Sequence, residues 1–509
     1  MASADSVRAP RNIVVIMTDQ HRADVCAREG FALDTTPHLD AIAGEGAWFD
    51  HAYTSSPLCC PARTSLLTGR FPAAHRVTTN PAMRFAVAED DLFSTARGLG
   101  CATALIGKNH TWLTKDDVDT FVEFSHGGQI SGPCTDAEAE FDSWLSGLRH
   151  RTSTEPAPFP VELQNPVRIV NHAQNWISSL EPDQPFALLL SFSEPHNPFQ
   201  VPEPYFSQFP VADLPRTDTD ATALEDAPFS WRYLHDLGRA GEEDYDGRVP
   251  RARASYFGML RLIDDQVRRF TEFLDERHLS EDTLIVVTSD HGDYVGEYGL
   301  VRKGAELPEV LTRVPLLITG PSVVTHQGPR PEHVSLVDIY PTICDAFGAP
   351  IGPGVQGRSL WPFLTGAVGA DDVHGEFRSA YVEQGMGGLP YTAADVPDPM
   401  PGLVDNGGPH APSFDELNAV TQSGRRRMIR KDRWKLVADE LGSVRLYDLD
   451  TDPRELRDLA GEAGHAEVLV DLLTELASWM MRAEDPLPVP ERGYRLKRDP
   501  RNHRAPYRA

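Results

Sequence analysis

Short apolar runs that end in polar or charged residues recur along the first two thirds of the chain. They lie at residues 12–18, 103–106, 185–192, 283–288 and 314–318, and they have the aliphatic and β-branched character of buried strands. Segments with helical periodicity alternate with them, beginning at Thr36 and covering residues 91–99, 166–180 and 251–279. This alternation predicts an α/β fold, in which helices cover both faces of a large, mostly parallel sheet.

The polar residues that follow these runs are the places where we expect chemistry. Open parallel sheets bind their ligands at the carboxyl ends of the strands. Asp19 and Gln20 follow the first run, Lys108 the second, His196 the third and Asp290 the fourth. Residues far apart in sequence are therefore predicted to converge at one edge of the sheet.

The last part of the chain has a different pattern. Residues 387–415 are rich in glycine, proline and aspartate, which is typical of a long surface loop. Residues 427–430, 434–437 and 444–449 are predicted as antiparallel strands, and residues 467–481 as an amphipathic helix. The pattern indicates a smaller C-terminal α+β subdomain, a short antiparallel sheet with one helix.

These patterns divide the chain into four predicted parts. They are a main catalytic α/β domain at residues 10–385, a loop-rich connection at 386–425, the C-terminal subdomain at 426–485 and a basic tail at 486–509. The tail is either a disordered end or a segment that packs on an acidic neighbouring subunit. The second alternative leaves a homo-oligomer open.

Composition narrows the classes of function. The 509 residues carry a formal net charge of −27, which argues against nucleic acid or an anionic membrane as partner but allows a small anion in a local basic pocket. No stretch approaches the roughly eighteen uninterrupted apolar residues of a membrane span. The polar start and six cysteines without framework spacing favour a reduced, cytoplasmic protein.

One motif carries more information than the rest of the chain. In the segment from Ser55 to Arg70, Cys59 is followed by proline at +2, arginine at +4 and then by Leu-Thr-Gly-Arg. This arrangement resembles the signature of the sulfatase family, and Cys60 does not fit its register. In that family the cysteine is oxidised to formylglycine, so the resemblance implies this modification at Cys59. A buried structural cysteine is the alternative that the short motif alone leaves open.

Two polar pairs at strand ends are candidates for a metal site. Asp19-Gln20 and Asp290-His291 offer three oxygen donors and one imidazole nitrogen, which suits Ca²⁺, Mg²⁺ or Mn²⁺. The alternative is that each aspartate only caps the following helix. In sulfatases these places hold Asp-Asp or Asp-Gln and Asp-Asn or Asp-His, and the pairs here resemble the branch of choline sulfatases and phosphonate monoester hydrolases. The resemblance implies one divalent ion, Ca²⁺ before Mn²⁺ or Mg²⁺, bound also by oxidised Cys59.

Three basic residues are candidates for an anion pocket around this cysteine. They are Arg63, Lys108 and Lys303. Only six of the 48 basic residues are lysine, so lysine at both Lys108 and Lys303 is informative. Fixed cations placed where negative charge develops accelerate transfer reactions.

Two histidines are candidates for proton transfer near neutral pH. His110 lies two residues after Lys108, a spacing that puts both side chains on one face of an extended segment. His196 follows the strand predicted at 185–192. The histidines at positions 21, 51 and 75 lack comparable context, and we interpret them as structural.

The resemblance implies a sulfatase that hydrolyses a small sulfate ester to an alcohol and inorganic sulfate. By this resemblance, the metal-bound hydrate of formylglycine 59 attacks sulfur while His196, with Lys303, supplies a proton to the leaving alcohol. His110 then deprotonates the second hydroxyl, and collapse of the hemiacetal expels sulfate. A formylglycine-generating enzyme is the implied maturation partner. The C-terminal motif Trp434-Lys435-Leu436 extends the resemblance into the smaller subdomain.

Two other functions remain as alternatives. Phosphonate monoester or phosphodiester hydrolases share the cysteine signature, both metal pairs and an asparagine like Asn80, but carry hydroxyl residues in the places of Lys108 and His110. That difference favours the sulfatase. A non-catalytic anion-binding relative would need either the modification of Cys59 to be absent or a metal pair to be broken, and neither pair is broken. The leaving alcohol is expected to be selected by loops at 111–133, 201–248 and 387–413, from which no pocket can be deduced.

Overall fold

The computed structural model describes residues 9–368, 375–395, 415–485 and 487. The basic tail expected at 486–509 lies outside the described residues apart from Leu487, and so does the middle of the connection at 386–425. A tail that packs on a second subunit stays a prediction. Within the described residues, no helix combines the length and the apolar character that a membrane crossing requires.

The strands follow the apolar runs of the sequence closely. In chain order they are β1 Asn12–Asp19, β2 Ala47–Trp48, β3 Ala52–Tyr53, β4 Ala102–Lys108, β5 Thr120–Ser125, β6 Gly128–Gln129, β7 Phe186–Pro195, β8 Thr283–Ser289, β9 Leu316–Thr319, β10 Val334–Ser335, β11 Ser379–Gly387, β12 Gly424–Lys431, β13 Trp434–Asp439 and β14 Val444–Asp448.

The helices lie between the strands of the main sheet and at the C-terminal end. They are α1 Pro37–Glu45, α2 Cys59–Thr68, α3 Pro72–His75, α4 Leu92–Gly98, α5 Asp136–Gly147, α6 Asn165–Ser179, α7 Tyr205–Gln208, α8 Phe229–Gly241, α9 Tyr245–Glu276, α10 Glu309–Thr312, α11 Ile339–Ala346, α12 Trp361–Leu364, α13 Ala419–Gln422 and α14 Ala466–Arg482.

The main sheet confirms the predicted α/β fold. Among the described residues it has eight strands in the order β2-β9-β8-β1-β7-β4-β5-β6. The five central strands from β8 to β5 run parallel, and antiparallel pairs close both edges. Alternate residues of β1 point into two different cores: Ile13 and Val15 pack with helices α2, α4 and α11, whereas Val14 and Ile16 pack with α1, α6 and α9. Both faces of the sheet are therefore buried, as its apolar strands require.

The register between β1 and β8 positions the candidate chemistry. Thr18 is the Cα partner of Ser289, so the next residues, Asp19 and Asp290, leave the sheet side by side. The Asp290 amide donates a hydrogen bond to the Thr18 carbonyl at 3.3 Å, which continues the pairing past the strand end. Two aspartates 271 positions apart in the chain thus become neighbours at the carboxyl edge of the sheet.

The C-terminal sheet is antiparallel, in the order β11-β12-β13-β14, and α14 packs on it. Its first strand, β11 at Ser379–Gly387, includes residues that the sequence analysis placed in the main domain, whose limit at residue 385 falls inside the strand. The apolar positions Ala380 and Val382 pack on the same small core as Met428 and Val437 of the neighbouring strands, so the strand belongs with them. The outer limits of the four predicted parts stay predictions.

One lysine connects the C-terminal sheet to the main domain. Lys435 of β13 is fully buried, and its ammonium lies 3.2 Å from Glu309 and 2.7 Å from Glu455. A buried charge is tolerated when carboxylates pair with it. The Trp-Lys-Leu motif noted in the sequence therefore serves the packing of the two sheets.

Candidate active site

Asp19, Asp290 and their neighbours form a buried centre at the carboxyl edge of the sheet. Gln20 takes a left-handed backbone conformation (φ 70°) just after β1, and its amide donates to Asp290 Oδ1 at 3.0 Å. The His291 amide donates to the same oxygen at 2.9 Å. Burial disfavours the charge on Asp290, but His291 and Arg63 outweigh it and lower the pKa of this carboxyl below its usual range. Asp290 is therefore a fixed negative charge.

Four buried side chains at this centre can hold a metal ion. Asp19, Cys59, Asp290 and His291 each offer a ligand atom, and these atoms lie within 4.8 Å of one another. The Cys59 sulfur is 3.2 Å from His291 Nε2 and 3.8 Å from Asp19 Oδ1. His291 Nδ1 lies 2.9 Å from the Gly292 carbonyl, to which only a protonated Nδ1 can donate, so Nε2 keeps its lone pair for a cation. Two carboxylates and a neutral imidazole fit a divalent ion.

Cys59 begins α2, with Leu58 before it in extended conformation. The next amide, that of Cys60, donates to Asn80 Oδ1 at 3.1 Å, which ties the start of this helix to the segment after α3. Burial is the main cause that raises the pKa of the Cys59 thiol to about 12. An unmodified thiol in this position is therefore protonated and weakly nucleophilic near neutral pH.

Two of the predicted cations lie directly beside the aspartates. Arg63, one turn after Cys59 on α2, donates from Nε to Asp290 Oδ2 at 2.8 Å and from a terminal nitrogen to Asp19 Oδ2 at 3.3 Å. Lys108, the last residue of β4, donates to Asp19 Oδ2, and its Nζ lies 3.8 Å from the Cys59 sulfur. Burial, the largest effect, lowers the pKa of Lys108 well below its usual value.

Lys303 and His196 form a second pair on the other side of the centre. Lys303 Nζ lies 2.9 Å from His196 Nε2 and donates to Gln20 Oε1 at 2.9 Å. Burial opposes the charge on Lys303, yet its acidic neighbours, Cys59 and Glu416 foremost, raise its pKa. The side-chain oxygen of Gln20 thus accepts a hydrogen bond from Lys303 and lies outside the cluster of four candidate metal ligands. Its role as a metal ligand stays a prediction.

A third buried carboxyl completes this arrangement and was not identified from the sequence. Asp293 accepts hydrogen bonds from the Gln20 side-chain nitrogen and from the amides of Val295 at 2.6 Å and Arg302 at 3.0 Å. Burial raises the pKa of Asp293 to about 7. The signal in the sequence that could have identified Asp293 is its position three residues after Asp290. Through its hydrogen bond, Asp293 orients the side chain of Gln20 next to the candidate metal ligands.

Histidines line one side of the centre. The His126 ring stacks on His196 with centroids 3.6 Å apart, and its Nε2 lies 2.9 Å from Lys108 Nζ. His110 lies edge-on to His126 at 5.5 Å, and its buried Nδ1 has no hydrogen-bond partner among the described residues. His150 stands 5.8 Å from His196 on the exposed side. Burial, with neighbouring cations, lowers the pKa values of His110, His126 and His196 well below the usual range.

His126 and His150 are the residues of this group that the sequence analysis missed. His126 follows β5, whose half-buried and polar residues obscured the strand in a region expected to be a loop. The rule that functional residues follow strand ends applies to it as it does to Lys108. Two of the histidines interpreted as structural lie elsewhere: His75 bonds Ser65 Oγ at 2.9 Å within the α2–α3 corner, and His51 stacks on His333. The third, His21, is buried next to Gln20, and its amide donates to Ser289 Oγ at 2.9 Å.

Comparisons with known proteins agree with this geometry. The family model described as Sulfatase matches residues 11–349. The chain is 26% identical to the multifunctional alkaline phosphatase superfamily protein PehA of Trinickia caryophylli, covering 93% of this chain and 96% of that protein. It is 27% identical to a choline-sulfatase of Rhizobium meliloti, covering 93% and 88%. The crystal structure of a phosphonate monoester hydrolase of Agrobacterium radiobacter superimposes with a TM-score of 0.74 at 24% identity, covering 94% and 97%.

The buried donor set predicts that a divalent cation stabilises the folded protein. Because the cation binds only the folded state, at about 100 times its dissociation constant it adds about 2.7 kcal/mol to the free energy of unfolding. We expect Asp290→Asn to lose most of this increment, measured as the shift in thermal midpoint on addition of Ca²⁺, Mn²⁺ or Mg²⁺ to chelator-treated protein.

Asp264→Asn is the matched control for that measurement. Asp264 is also a buried aspartate, but it accepts from the His38 and Leu39 amides at the start of α1. This variant is expected to unfold at a lower temperature yet to keep the full metal-dependent shift. An equal shift in wild type and Asp290→Asn would contradict the assigned site.

Proposed function

The chain belongs to the sulfatase family and is a sulfuric ester hydrolase, and from that premise we propose that Cys59, oxidised to formylglycine, is its nucleophile toward a small sulfate ester. The observation that carries the proposal is the position of the Cys59 sulfur, 3.2 Å from His291 Nε2 and 3.8 Å from both Asp19 Oδ1 and Lys108 Nζ. A nucleophile at this point is in reach of the candidate ligands Asp19 and His291 and of Lys108, one of the cations that would bind sulfate.

The donor set supports one divalent cation held by Asp19, Asp290 and His291, with Gln20 as a further ligand once its amide turns from Lys303. Bound there beside a hydrated formylglycine, such a cation would supply a strong nucleophile at neutral pH. The oxygen-rich set favours Ca²⁺, and the imidazole keeps Mn²⁺ and Mg²⁺ as alternatives. Maturation by a formylglycine-generating enzyme is part of the proposal.

Arg63 and Lys108 would bind the sulfate oxygens. In the structure both already neutralise the aspartates, with Arg63 spanning Asp19 and Asp290. A cation held by Asp19, Asp290 and His291 would supply that neutralisation instead, and the N–H groups of Arg63 and Lys108 would then be available to the substrate anion. Fixed donors inside a dry site stabilise developing negative charge more effectively than mobile water does.

Lys303 and His196 would supply the proton to the leaving alcohol. His196 Nδ1 lies 2.7 Å from the Asn197 carbonyl, so this nitrogen carries the hydrogen and Nε2 is the acceptor facing Lys303. The proton given to the alcohol oxygen therefore originates from the Lys303 ammonium, directly or through His196 Nε2. Glu416, 3.6 Å from Lys303, helps to keep that ammonium charged before transfer.

His110 would act as the base that releases sulfate. Its neutral, buried Nδ1 has no hydrogen-bond partner among the described residues, and an imidazole in that state can take a proton. We propose that His126 is a positioning residue. Its Nε2 contacts Lys108 Nζ, and its ring stacks on His196. His126 thus lies between His110 and His196, the two histidines proposed to transfer protons.

A phosphonate monoester or phosphodiester hydrolase is the alternative on the same site. It is favoured by Asn80, whose side chain accepts from the Cys60 amide beside the nucleophile, because those hydrolases have an asparagine at this distance. Lys108 and His110, in the places of their hydroxyl residues, favour sulfate. A purely anion-binding protein is the second alternative, and the intact donor set argues against it.

Two further expectations belong to the proposal. All six cysteines are free thiols, which suits the reducing cytoplasm that we propose as the site of action. A second subunit remains open.

We predict that Cys59→Ala lowers kcat for an aryl sulfate by about 10³-fold or more, because the nucleophile is removed. Cys60→Ala is the matched control: its thiol is equally buried on α2, and activity should stay within a few-fold. Mass spectrometry of the peptide that contains residue 59, from protein co-expressed with a formylglycine-generating enzyme, should show the aldehyde. Near-normal turnover by Cys59→Ala would overturn the nucleophile assignment.

The same preparation discriminates the two hydrolase functions. We expect a higher kcat/KM for an aryl sulfate than for the matching aryl phenylphosphonate, since Lys108 and His110 lie beside the nucleophile. The reverse order would favour the phosphonate alternative. Turnover of neither, with the aldehyde present, would favour the anion-binding alternative.

His126→Leu is predicted to lower kcat about tenfold to a hundredfold with a smaller change in KM, because Lys108 and His196 lose their shared contact. His126→Gln, which keeps an acceptor for Lys108, should retain more activity and move the pH profile less. His172→Leu removes another half-buried histidine, next to Phe124 of β5, and should leave kcat within about twofold. Equal losses in the Leu and Gln variants would contradict positioning by hydrogen bonding.

A further inference from the structure

A basic cavity lies beside the candidate active site, where the C-terminal sheet meets the start of α3. Its volume is about 320 Å³. Its polar lining comes from three arginines, one glutamate, one glutamine and two hydroxyl residues, namely Arg76, Arg425, Arg427, Glu383, Gln384, Ser56 and Thr78. The chain has a net charge of −27, so a cavity with more arginines than carboxylates is unusual for it and is a candidate site for an anion.

Three of its lining segments lead directly to the nucleophile. Ser56 precedes Cys59 by three residues, so their Cα atoms are at most about 11 Å apart. Thr78 precedes Asn80, which accepts from the Cys60 amide. On the opposite wall, the side chain of Gln384 donates to the Gly304 carbonyl at 3.1 Å, next to Lys303. These connections place the lining of the cavity within a few residues or one hydrogen bond of Cys59, Cys60 and Lys303.

The arginines of this cavity have little neutralisation from the described part of the chain. Arg425 is exposed and forms no ion pair with a described residue. Arg76 reaches Asp485 only at 3.8 Å, and Asp485 is already held by buried Arg70 at 2.5 Å. Glu383 is 3.9 Å from Arg427.

Glu383 is also committed to other donors. It accepts from the Ala73 amide at 2.9 Å and from the Tyr381 hydroxyl at 3.1 Å. Its remaining capacity to satisfy three guanidinium groups is therefore small.

A second cavity provides a comparison, because its arginines are paired with carboxylates. It measures about 460 Å³ and lies near the end of β1. There, Arg28 is paired with Asp40 at 2.6 Å and Arg313 with Glu29 at 2.6 Å, so these guanidinium groups have partners of their own. The cavity at Arg425 differs by leaving its cations available to a ligand.

We propose that this cavity is a subsite for a second anionic group on the substrate, so that the enzyme prefers sulfate esters whose alcohol carries a carboxylate or a further sulfate. The proposal rests on the proposed sulfatase function. Guanidinium groups bind such anions through paired, charge-assisted N–H bonds. Met386, half exposed at the cavity wall, offers an apolar surface for the carbon skeleton between the two anionic groups.

The test compares two esters that differ by one charge, 4-carboxyphenyl sulfate and its neutral isostere 4-carbamoylphenyl sulfate, with the full-length, formylglycine-containing enzyme. The measured quantity is the ratio of their kcat/KM values. We expect wild type to prefer the carboxylate by about tenfold, the value of one well-placed charge-assisted contact. Arg425→Gln and, independently, Arg76→Gln should bring the ratio toward one, and Arg425→Glu should bring it below one.

Arg277→Gln is the control, because Arg277 is also exposed but lies at the opposite end of the sheet, where it bonds Ser178. It should keep the wild-type ratio. Equal turnover of both esters by wild type, or a preference that survives in the Arg425 and Arg76 variants, would overturn the subsite while leaving the sulfatase function intact. Turnover of neither ester would instead count against the sulfatase function itself, and the subsite would fall with it.

Discussion

The structure depends on two buried aspartates held side by side. Asp19 and Asp290 leave neighbouring parallel strands at the same height, because the register pairs Thr18 with Ser289. Two like charges in a dry site repel each other strongly, so the fold must supply cations within a few ångströms. Arg63 does so from α2, and its contact with both carboxylates fixes the helix that also carries Cys59. The position of Cys59, the proposed nucleophile, is thus a consequence of charge compensation.

The same constraint explains how a strongly acidic chain can bind an anion. At physiological ionic strength, exposed charges are screened beyond about 8 Å. What an anionic substrate meets at the centre is therefore the local set of Arg63, Lys108 and Lys303, all buried and fixed. The surrounding negative surface disfavours long polyanions more than small ones. Recognition by a few short-range cations is consistent with a compact ester.

Much of this site could be predicted from the sequence, and the reason is the parallel sheet. Asp19, Lys108, His196 and Asp290 all follow apolar runs, and the carboxyl ends of parallel strands meet at one edge. His126 obeys the same rule but follows β5, whose half-buried residues lack a continuous apolar signal and whose outer neighbour β6 is only two residues long. β11 was cut by the predicted domain limit because its partner strand β12 begins 37 residues after its end, beyond the long connection. Long-range pairing of that kind leaves no local pattern.

Chemistry and substrate choice come from different parts of the molecule. The side chains around Cys59 stand on the ends of central strands and on α2, whose positions are fixed by two buried cores. The proposed subsite instead combines Arg76, after the short helix α3, with Arg425 and Arg427 of the C-terminal sheet. Substitutions there change surface charge without disturbing the compensation of Asp19 and Asp290. In the proposed subsite, the arginines that would select the alcohol thus lie on elements other than those that carry Asp19, Cys59 and Asp290.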